Sequence, residues 1–259
     1  MPQSTLQNDP ESGVRELVRS YEEPETQIQS RMQAVTAYLD GPRPDRVQHL
    51  WRYTDPTQFE PGGVDFSLPS ERTTAGDLPP VLAERLRDSE VAGVAFSAGS
   101  GATRIETTDE LTKAGVTLVD LHQALNEGAE AAKALGRLIP ADVDNGGNGK
   151  FEALNLGLWT VGTLIHVPRG VRVEKPIHVW LSAPKTGPSF LATRLLVVLE
   201  EGAEVTVIDE CEGGTDEHEG GHSGLQLNSV VELFAGPASR LRYSAVQRLE
   251  KKVRYQITQ

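Results

Sequence analysis

The single cysteine of the chain lies in the stretch EVTVIDECEGGTDEHEGGHSG, residues 204–224. A thiolate can accept sulfur as a persulfide or bind iron, but a cysteine becomes reactive only when its pKa is lowered or a metal is bound. In an extended strand, side-chain alternation puts Asp209 and Cys211 on one face and Glu210 on the other. Carboxylates that share the face of Cys211 would raise the pKa of its thiol. The alternative is an unreactive cysteine packed in the interior.

Two histidines after this cysteine, His218 and His222, are candidate metal ligands. Their spacing of four would place both on one helix face, as a metal-binding pair requires, but the EGG between them disfavours a helix. Their acidic, glycine-rich surroundings are typical of a solvated loop, whose carboxylates would bind divalent ions with little selectivity. His166 and His178 lie on predicted strands and are interpreted as structural histidines.

The composition limits the class of protein. The 259 residues carry a net charge of -12, which would repel nucleic-acid phosphates and anionic lipids. The N-terminus, MPQSTLQNDPE, has neither a cationic nor an apolar region, and aliphatic runs such as LLVVL at 195–199 are too short to span a bilayer. A single cysteine cannot form an intramolecular disulfide. We therefore expect a cytoplasmic, soluble protein.

The elements that must position these residues begin with a helical N-terminal part. A helical pattern in the first 40 residues is interrupted at Pro24, and its second helix should end at Gly41. We predict a helical and loop region over 1–80, then a small mixed α/β region that ends in the linker DVDNGGNGK, over 81–149.

From residue 150 to 259 the sequence favours β-structure, because valine, isoleucine and leucine recur at alternate positions. Three similar segments, VPRGVRV, LEEGAEVTV and FAGPASRLRY, contain Gly170, Gly202 and Gly236, which are 32 and 34 residues apart. Such spacing is typical of stacked repeats. The pattern predicts a β-solenoid, with a sandwich or barrel as the alternative.

The chain ends at KKVRYQITQ, within or just after a predicted strand. A solenoid that ended there would expose a sheet edge and part of its core. We therefore expect either a longer protein or an end that another chain covers.

The segment KFEALNLGLWTVGTLIHVPRGVRVEKPIHV, residues 150–179, resembles the SufB/SufD family of iron-sulfur cluster assembly proteins. The features that carry the resemblance are the ALN segment, an aromatic residue near 159 and the VP[KR]GV turn. It continues through TRLLVVLEEGAEVTVIDEC and NSVVELFAGPASRLRYSAVQ, and more loosely through LIPADVDNGGNGKF and HLWRYTD.

This resemblance implies a helical N-terminal region, a right-handed parallel β-helix, and a C-terminal helical segment that docks the SufC ATPase. Later coils and that segment are not recognisable in this chain, so direct SufC docking stays open. Cys211 falls where SufB-type members carry a cysteine. In contrast, Leu249 stands where they carry tryptophan, and EKPIHV and HLWRYTD are more similar to SufD. A SufD-like member is favoured.

The resemblance also suggests roles for particular residues. It makes Cys211 a candidate sulfur acceptor, with Arg194 and Gln247 as supporting polar residues along an interior route for sulfur. One thiol and no CxxC pair cannot complete a conventional cluster site. An iron-sulfur cluster would therefore be held transiently, with ligands shared with a partner chain.

We therefore interpret the chain as a scaffold and not an enzyme, since it has no Gly-Lys-Ser/Thr nucleotide loop. The partners implied by the resemblance are a SufC-type ATPase, a SufB/SufD paralogue or a second copy of the chain, and indirectly a cysteine desulfurase system. The alternatives are a metal-dependent cupin-like enzyme, suggested by HVPRG and nearby histidines, and a carbohydrate-active or acyltransferase β-helix.

Overall fold

The computed structural model describes residues 22–47, 51–59, 76–99, 101–184, 190–213, 225–251 and 253–259. Its contacts divide the chain into two compact units. One comprises the described parts of 1–72 and 140–158, and the other those of 73–139 and 159–259. Among the described residues, the second unit contains all the strands, and the prediction of a mainly β chain is confirmed.

The first unit is built on helices α1 (Glu25–Asp40) and, much later in the chain, α5 (Lys150–Leu158). As predicted, α1 begins after Pro24 and ends before Gly41. The two helices are joined through the fully buried Arg31, which binds the carboxylate of Glu23 at 2.6 Å and the carbonyl oxygen of Gly157 at 3.1 Å.

The helix α5 corrects the sequence analysis, which assigned β-structure from residue 150 onwards. Its sequence, KFEALNLGL, is rich in residues of high helix propensity such as lysine, glutamate, alanine and leucine. Every residue of α5 except Glu152 is buried, so it shows no polar face and hence no clear helical period.

The described residues of the second unit form three short helices: α2 (Pro80–Arg87), α3 (Asp109–Lys113) and α4 (Leu121–Asn126). The helix-like stretch after Asp120 is broken, because Gly128 adopts a φ of +70° and only a 3₁₀ turn, Glu130–Ala134, follows. Asp120 caps α4 by accepting hydrogen bonds from the amides of His122 and Gln123.

In the part of the chain that the structure describes, ten strands form two five-stranded sheets. In chain order they are β1 (Gly93–Ala98), β2 (Arg104–Thr107), β3 (Thr117–Asp120), β4 (Val161–Val167), β5 (Ile177–Ala183), β6 (Phe190–Leu199), β7 (Glu204–Gly213), β8 (Gln226–Ala235), β9 (Arg240–Leu249) and β10 (Arg254–Thr258). The strand orders are β2-β1-β5-β7-β9 and β10-β8-β6-β4-β3. From β4 to β10, successive strands alternate between the sheets, and from β6 on each pairs in parallel with the strand two before it.

The main apolar core contains inward residues of both sheets, for example Ile165, Val197, Val207 and Val231. Residues from neighbouring parallel strands occupy equivalent positions, since Ile165 pairs with Val197 and Val197 with Leu233. Each inner strand therefore packs its aliphatic side chains against equivalent side chains of its two neighbours in the sheet.

The turns after β4, β6 and β8 are stacked, but their equivalence differs from the predicted one. Gly170 and Gly202 both have a φ of +69°, and the Gly170 amide donates to the Glu201 carbonyl at 2.9 Å. Strand register pairs Leu199 with Ala235, so Ala238, with a φ of +55°, is the equivalent of Gly202. The repeat therefore steps by 32 and then 36 residues, and not by 32 and 34 as the glycines suggested.

Gly236 has a different reason to be glycine. A Cβ atom there would lie 2.8 Å from the backbone of the preceding turn, at the Leu199 oxygen and the Glu200 carbonyl carbon. Close approach of two backbones selects glycine at this position, without a positive φ.

Within the described ranges, none of the helices combines the length and apolar character needed to cross a membrane.

Candidate functional site

Cys211 lies near the end of β7, in the middle of three paired strands. In register it pairs with Leu181 on β5 and Gln247 on β9. Its side chain is buried, with 6% of the residue exposed, and it packs in an apolar cluster with Leu181 and Leu227.

A cavity of about 40 Å³ adjoins Cys211. Its walls come from both sheets and include Val161, Thr163, Thr193, Asp209, Cys211 and Tyr255. A space of this size with polar walls can hold a water molecule. The predicted alternation is confirmed, because Asp209 and Cys211 both border the cavity.

Glu210 projects to the opposite side of β7 and has other partners. Its Oε2 atom is 2.9 Å from Nε2 of His178, and Oε1 contacts the guanidinium of Arg248. His178 is fully buried, and burial is the main reason why its pKa lies below the usual value. The interpretation of His178 as a structural histidine agrees with these contacts.

The electrostatics around Cys211 oppose a thiolate. Burial, followed by the negative charges of Asp209 and Glu212, raises the pKa of the thiol to about 12. The sequence-based expectation of a raised pKa is therefore met.

The carboxylate of Asp209 is held by a tyrosine from the next strand. Tyr243 donates a hydrogen bond from its Oη to Oδ2 of Asp209 at 2.6 Å. Burial raises the pKa of Asp209, and this hydrogen bond opposes the rise. Burial and the charge of Asp209 raise the pKa of Tyr243, and burial is also the main cause of a raised pKa at Tyr255.

Arg194, on β6, forms a buried ion pair with Glu232 on β8. Its Nη1 is 2.7 Å from Oε2 of Glu232, and each side chain is 1% exposed. Glu232 also accepts hydrogen bonds from the amides of Gly136, Leu138 and Ile139 at 2.8, 3.0 and 3.2 Å. Arg194 borders the cavity, and its ion-pair partner Glu232 holds residues 136–139 against β8.

The remaining predicted site residues lie in different surroundings. Gln247 is exposed on β9, beside Cys211 in the ladder. His166 contacts Glu200 through Nε2 at 3.0 Å near the surface. His218 and His222 fall outside the described residues. Within the described ranges, no three His, Cys, Asp or Glu side chains come together as a metal site would require.

The sequence analysis missed Tyr243, Tyr255 and Glu232 as neighbours of the site. Their positions depend on the parallel register, which steps by 36 residues from β6 to β8 and from β7 to β9, and by 28 from β8 to β10. The glycine spacings of 32 and 34 residues match none of these steps, so only the strand pairing identifies these neighbours.

The chain is similar to one family of known proteins. Residues 181–259 match the family model for the SUF system FeS cluster assembly, SufBD core domain. An iron-sulfur cluster assembly SufBD family protein of Staphylococcus haemolyticus is 26% identical over 246 residues, which is 92% of this chain and 50% of that protein. A chloroplastic SufBD family protein of Arabidopsis thaliana is 27% identical over 253 residues, or 92% of this chain and 42% of that protein.

A SufBD family protein of Mycobacterium tuberculosis is 27% identical over 213 residues, which covers 78% of this chain and 24% of that protein. The chain thus spans about half, or less, of the length of these curated relatives. These relatives cover most of the chain, and the core-domain match covers residues 181–259, from the end of β5 onwards. The chain is thus similar to the SufB/SufD family of iron-sulfur cluster assembly proteins.

Proposed function

We propose that this chain is a scaffold component of the SUF system and that Cys211 receives sulfur on its way to a cluster. The observation that carries the proposal is the position of the only thiol, which faces a cavity between the sheets within the matched core domain. A thiol in such a place can hold a persulfide away from bulk solvent.

The fold that would serve this role is a right-handed parallel β-helix. The alternation of strands between two sheets, their parallel register and the stacked turns at Gly170 and Gly202 support this proposal. In a β-helix, each coil gives its neighbours a continuous wall, so a thiol on one coil can face groups from the next.

The iron-sulfur cluster is the cargo in this proposal. One thiol supplies at most one cysteine ligand, so a second chain must complete the coordination. A SufB/SufD partner would provide those ligands, a SufC-type ATPase would drive the complex, and a cysteine desulfurase system would deliver sulfur in the cytoplasm. Arg194 and Gln247 would act as supporting polar groups, and His218 and His222 as accessory metal ligands.

The decisive experiment replaces Cys211 in the full-length gene product and measures activity of an iron-sulfur enzyme in cells that depend on the SUF system. We expect Cys211→Ser and Cys211→Ala to abolish maturation, because neither side chain can carry a sulfane sulfur. Val161→Ala is the matched control, since it alters the same cavity without touching the thiol. Maturation at the parental level in both cysteine variants would refute the role of Cys211.

The same strains test the partners. We expect the parent and the Cys211 variants to co-purify with an ATPase subunit, because scaffolding contacts do not need the thiol. Purification without any ATPase from the same cells would contradict membership of such a complex.

A further inference from the structure

Four ionisable side chains border the cavity: Asp209, Cys211, Tyr255 and Arg194, whose positive charge is paired with Glu232. The proposed sulfur chemistry takes place at Cys211 alone. Asp209 raises the pKa of the Cys211 thiol, and both residues raise that of Tyr255, so the three groups titrate as a coupled set. The ionisation of Cys211 therefore depends on the charge state of its neighbours.

A hydrogen bond from Tyr243 fixes the position of the Asp209 carboxylate. Oδ2 accepts the hydrogen bond of Tyr243, which comes from β9 and is not among the cavity-lining residues. Across the described part of the chain, this is the sole hydrogen bond to that carboxylate. One carboxylate oxygen is thus anchored by Tyr243, and within the described residues no hydrogen bond holds the other.

The charge of the cavity decides how Cys211 can lose its proton. If the proton left for solvent while Asp209 stayed ionised, two negative charges would share a small, buried space, and burial disfavours each of them. If the proton moved to Asp209, directly or through one water molecule, the pair would keep a single negative charge. The second route avoids the cost of an additional buried charge.

We propose that Asp209 is the proton acceptor for Cys211 during sulfur loading, with Tyr243 as the residue that positions its carboxylate. This inference rests on the proposed role of Cys211 as a sulfur acceptor. It adds the group that makes a deeply buried thiol reactive at neutral pH.

The step balances in atoms and electrons. The Sγ–H proton of Cys211 passes to the Asp209 carboxylate, and the sulfur attacks the terminal sulfur of a protein persulfide. The S–S bond of the donor breaks, and its electron pair leaves with the donor as a thiolate. The products are a persulfide on Cys211, a protonated Asp209 and the donor thiolate, so no external oxidant or reductant is needed.

The first test measures coupling without any sulfur chemistry. Because the chain has one cysteine, protein labelled with ¹³C at the cysteine Cβ gives a single thiol-sensitive NMR signal. We expect the Cys211 thiol to titrate at lower pH in Asp209→Asn than in the parent. Glu212→Gln is the matched control, since Glu212 lies next to Cys211 but does not border the cavity, and it should shift the titration less. Equal shifts in the two variants would overturn the proposal.

The second test measures how the reactivity of Cys211 depends on pH, with iodoacetamide as a probe that has no ionisable group. In the parent, the rate should be nearly flat around neutral pH, because the proton stays within the pair. In Asp209→Asn the proton must go to solvent, so the rate should rise about tenfold per pH unit. Tyr243→Phe keeps both reacting groups and should retain the shallow profile, which guards against a folding defect in the first variant. Identical slopes in the parent and Asp209→Asn would sink the idea.

The third test separates this inference from the proposed function, with glutathione persulfide as the sulfur donor. We expect loading of Cys211 in the parent and slower loading in Asp209→Asn at neutral pH. Loading with the same pH dependence in both proteins would overturn the role of Asp209 and leave Cys211 as the acceptor. No loading of the parent, despite a coupled titration, would overturn the sulfur-loading role of both residues.

Discussion

Two buried carboxylates of this protein, Glu232 and Asp209, differ in how many partners they have. Arg194 and Glu232 form an ion pair that also binds three backbone amides, which is a structural arrangement. Asp209 has one hydrogen bond from Tyr243 and shares a cavity with Cys211. A carboxylate with few partners beside a thiol is free to exchange a proton, whereas one with four partners is not.

This difference predicts the effect of removing Arg194. Arg194→Met should destabilise the fold by about 3 kcal/mol, because Glu232 would remain buried without its counter-ion. The measurement is the urea unfolding midpoint of the full chain. Arg172→Met is the control, since Arg172 pairs with Glu204 at the surface and its loss should hardly move the midpoint. An unchanged midpoint in Arg194→Met would contradict the structural role of the pair.

At the level of elements, the stacked turns hold the parallel strands in register. Gly170 and Gly202 adopt a left-handed conformation, whereas the equivalent turn after β8 places Ala238 there. The backbone at Gly236 meets the preceding turn so closely that a side chain has no room. Two different physical causes, conformation and close approach, therefore select glycine within one family of turns.

Substitutions in these turns should separate the two causes. Gly202→Ala should cost about 1 kcal/mol, because a Cβ has space there and only the positive φ is unfavourable. Gly236→Ala should cost more, because its Cβ would overlap backbone atoms. Ala238→Gly should leave stability unchanged or raise it slightly, since it relieves the strain. Chemical denaturation of the three variants measures the order, and a larger loss for Gly202→Ala than for Gly236→Ala would contradict it.

At the level of the whole molecule, the strand-containing unit encloses several weak acids in protonated form. Burial raises the pKa of Cys211 from 9.0 to about 12 and raises the pKa of Tyr243 and Tyr255 above their usual value of 10.0. In the unfolded chain these groups ionise at their ordinary values. The folded state is therefore stabilised while these groups are protonated. This stabilisation is lost as the pH rises above their pKa values in the unfolded chain.

The expected outcome is a fall in stability that begins near pH 9.0, where the unfolded thiol starts to ionise, and steepens above 10.0. Urea unfolding between neutral pH and pH 11 measures it. Cys211→Ser should remove the loss between 9.0 and 10.0, and Tyr255→Phe should reduce the loss above 10.0. A free energy of unfolding that stays constant up to pH 11 would contradict the burial of these groups.

Much of this molecule follows from the order of residue types along the chain. Alternating aliphatic residues after residue 159 specify strands, Pro24 and Gly41 bound α1, and the positions of Asp209 and Cys211 specify a shared face. These are local consequences of backbone geometry, so the sequence was sufficient to predict them. The family resemblance, carried by the same segments, was also available from the sequence.

Only the tertiary structure decided which residues from different strands meet. The register between parallel strands steps by 28 to 36 residues, so the glycine spacings of 32 and 34 residues could not place Tyr243 beside Asp209 or Glu232 beside Arg194. The helix α5 is buried on all sides and so lacks the polar face by which sequence patterns reveal a helix. The sequence alone determined the strands of the β region and the face of the thiol. The pairing of the strands, a long-range property, determined the neighbours that set its chemistry.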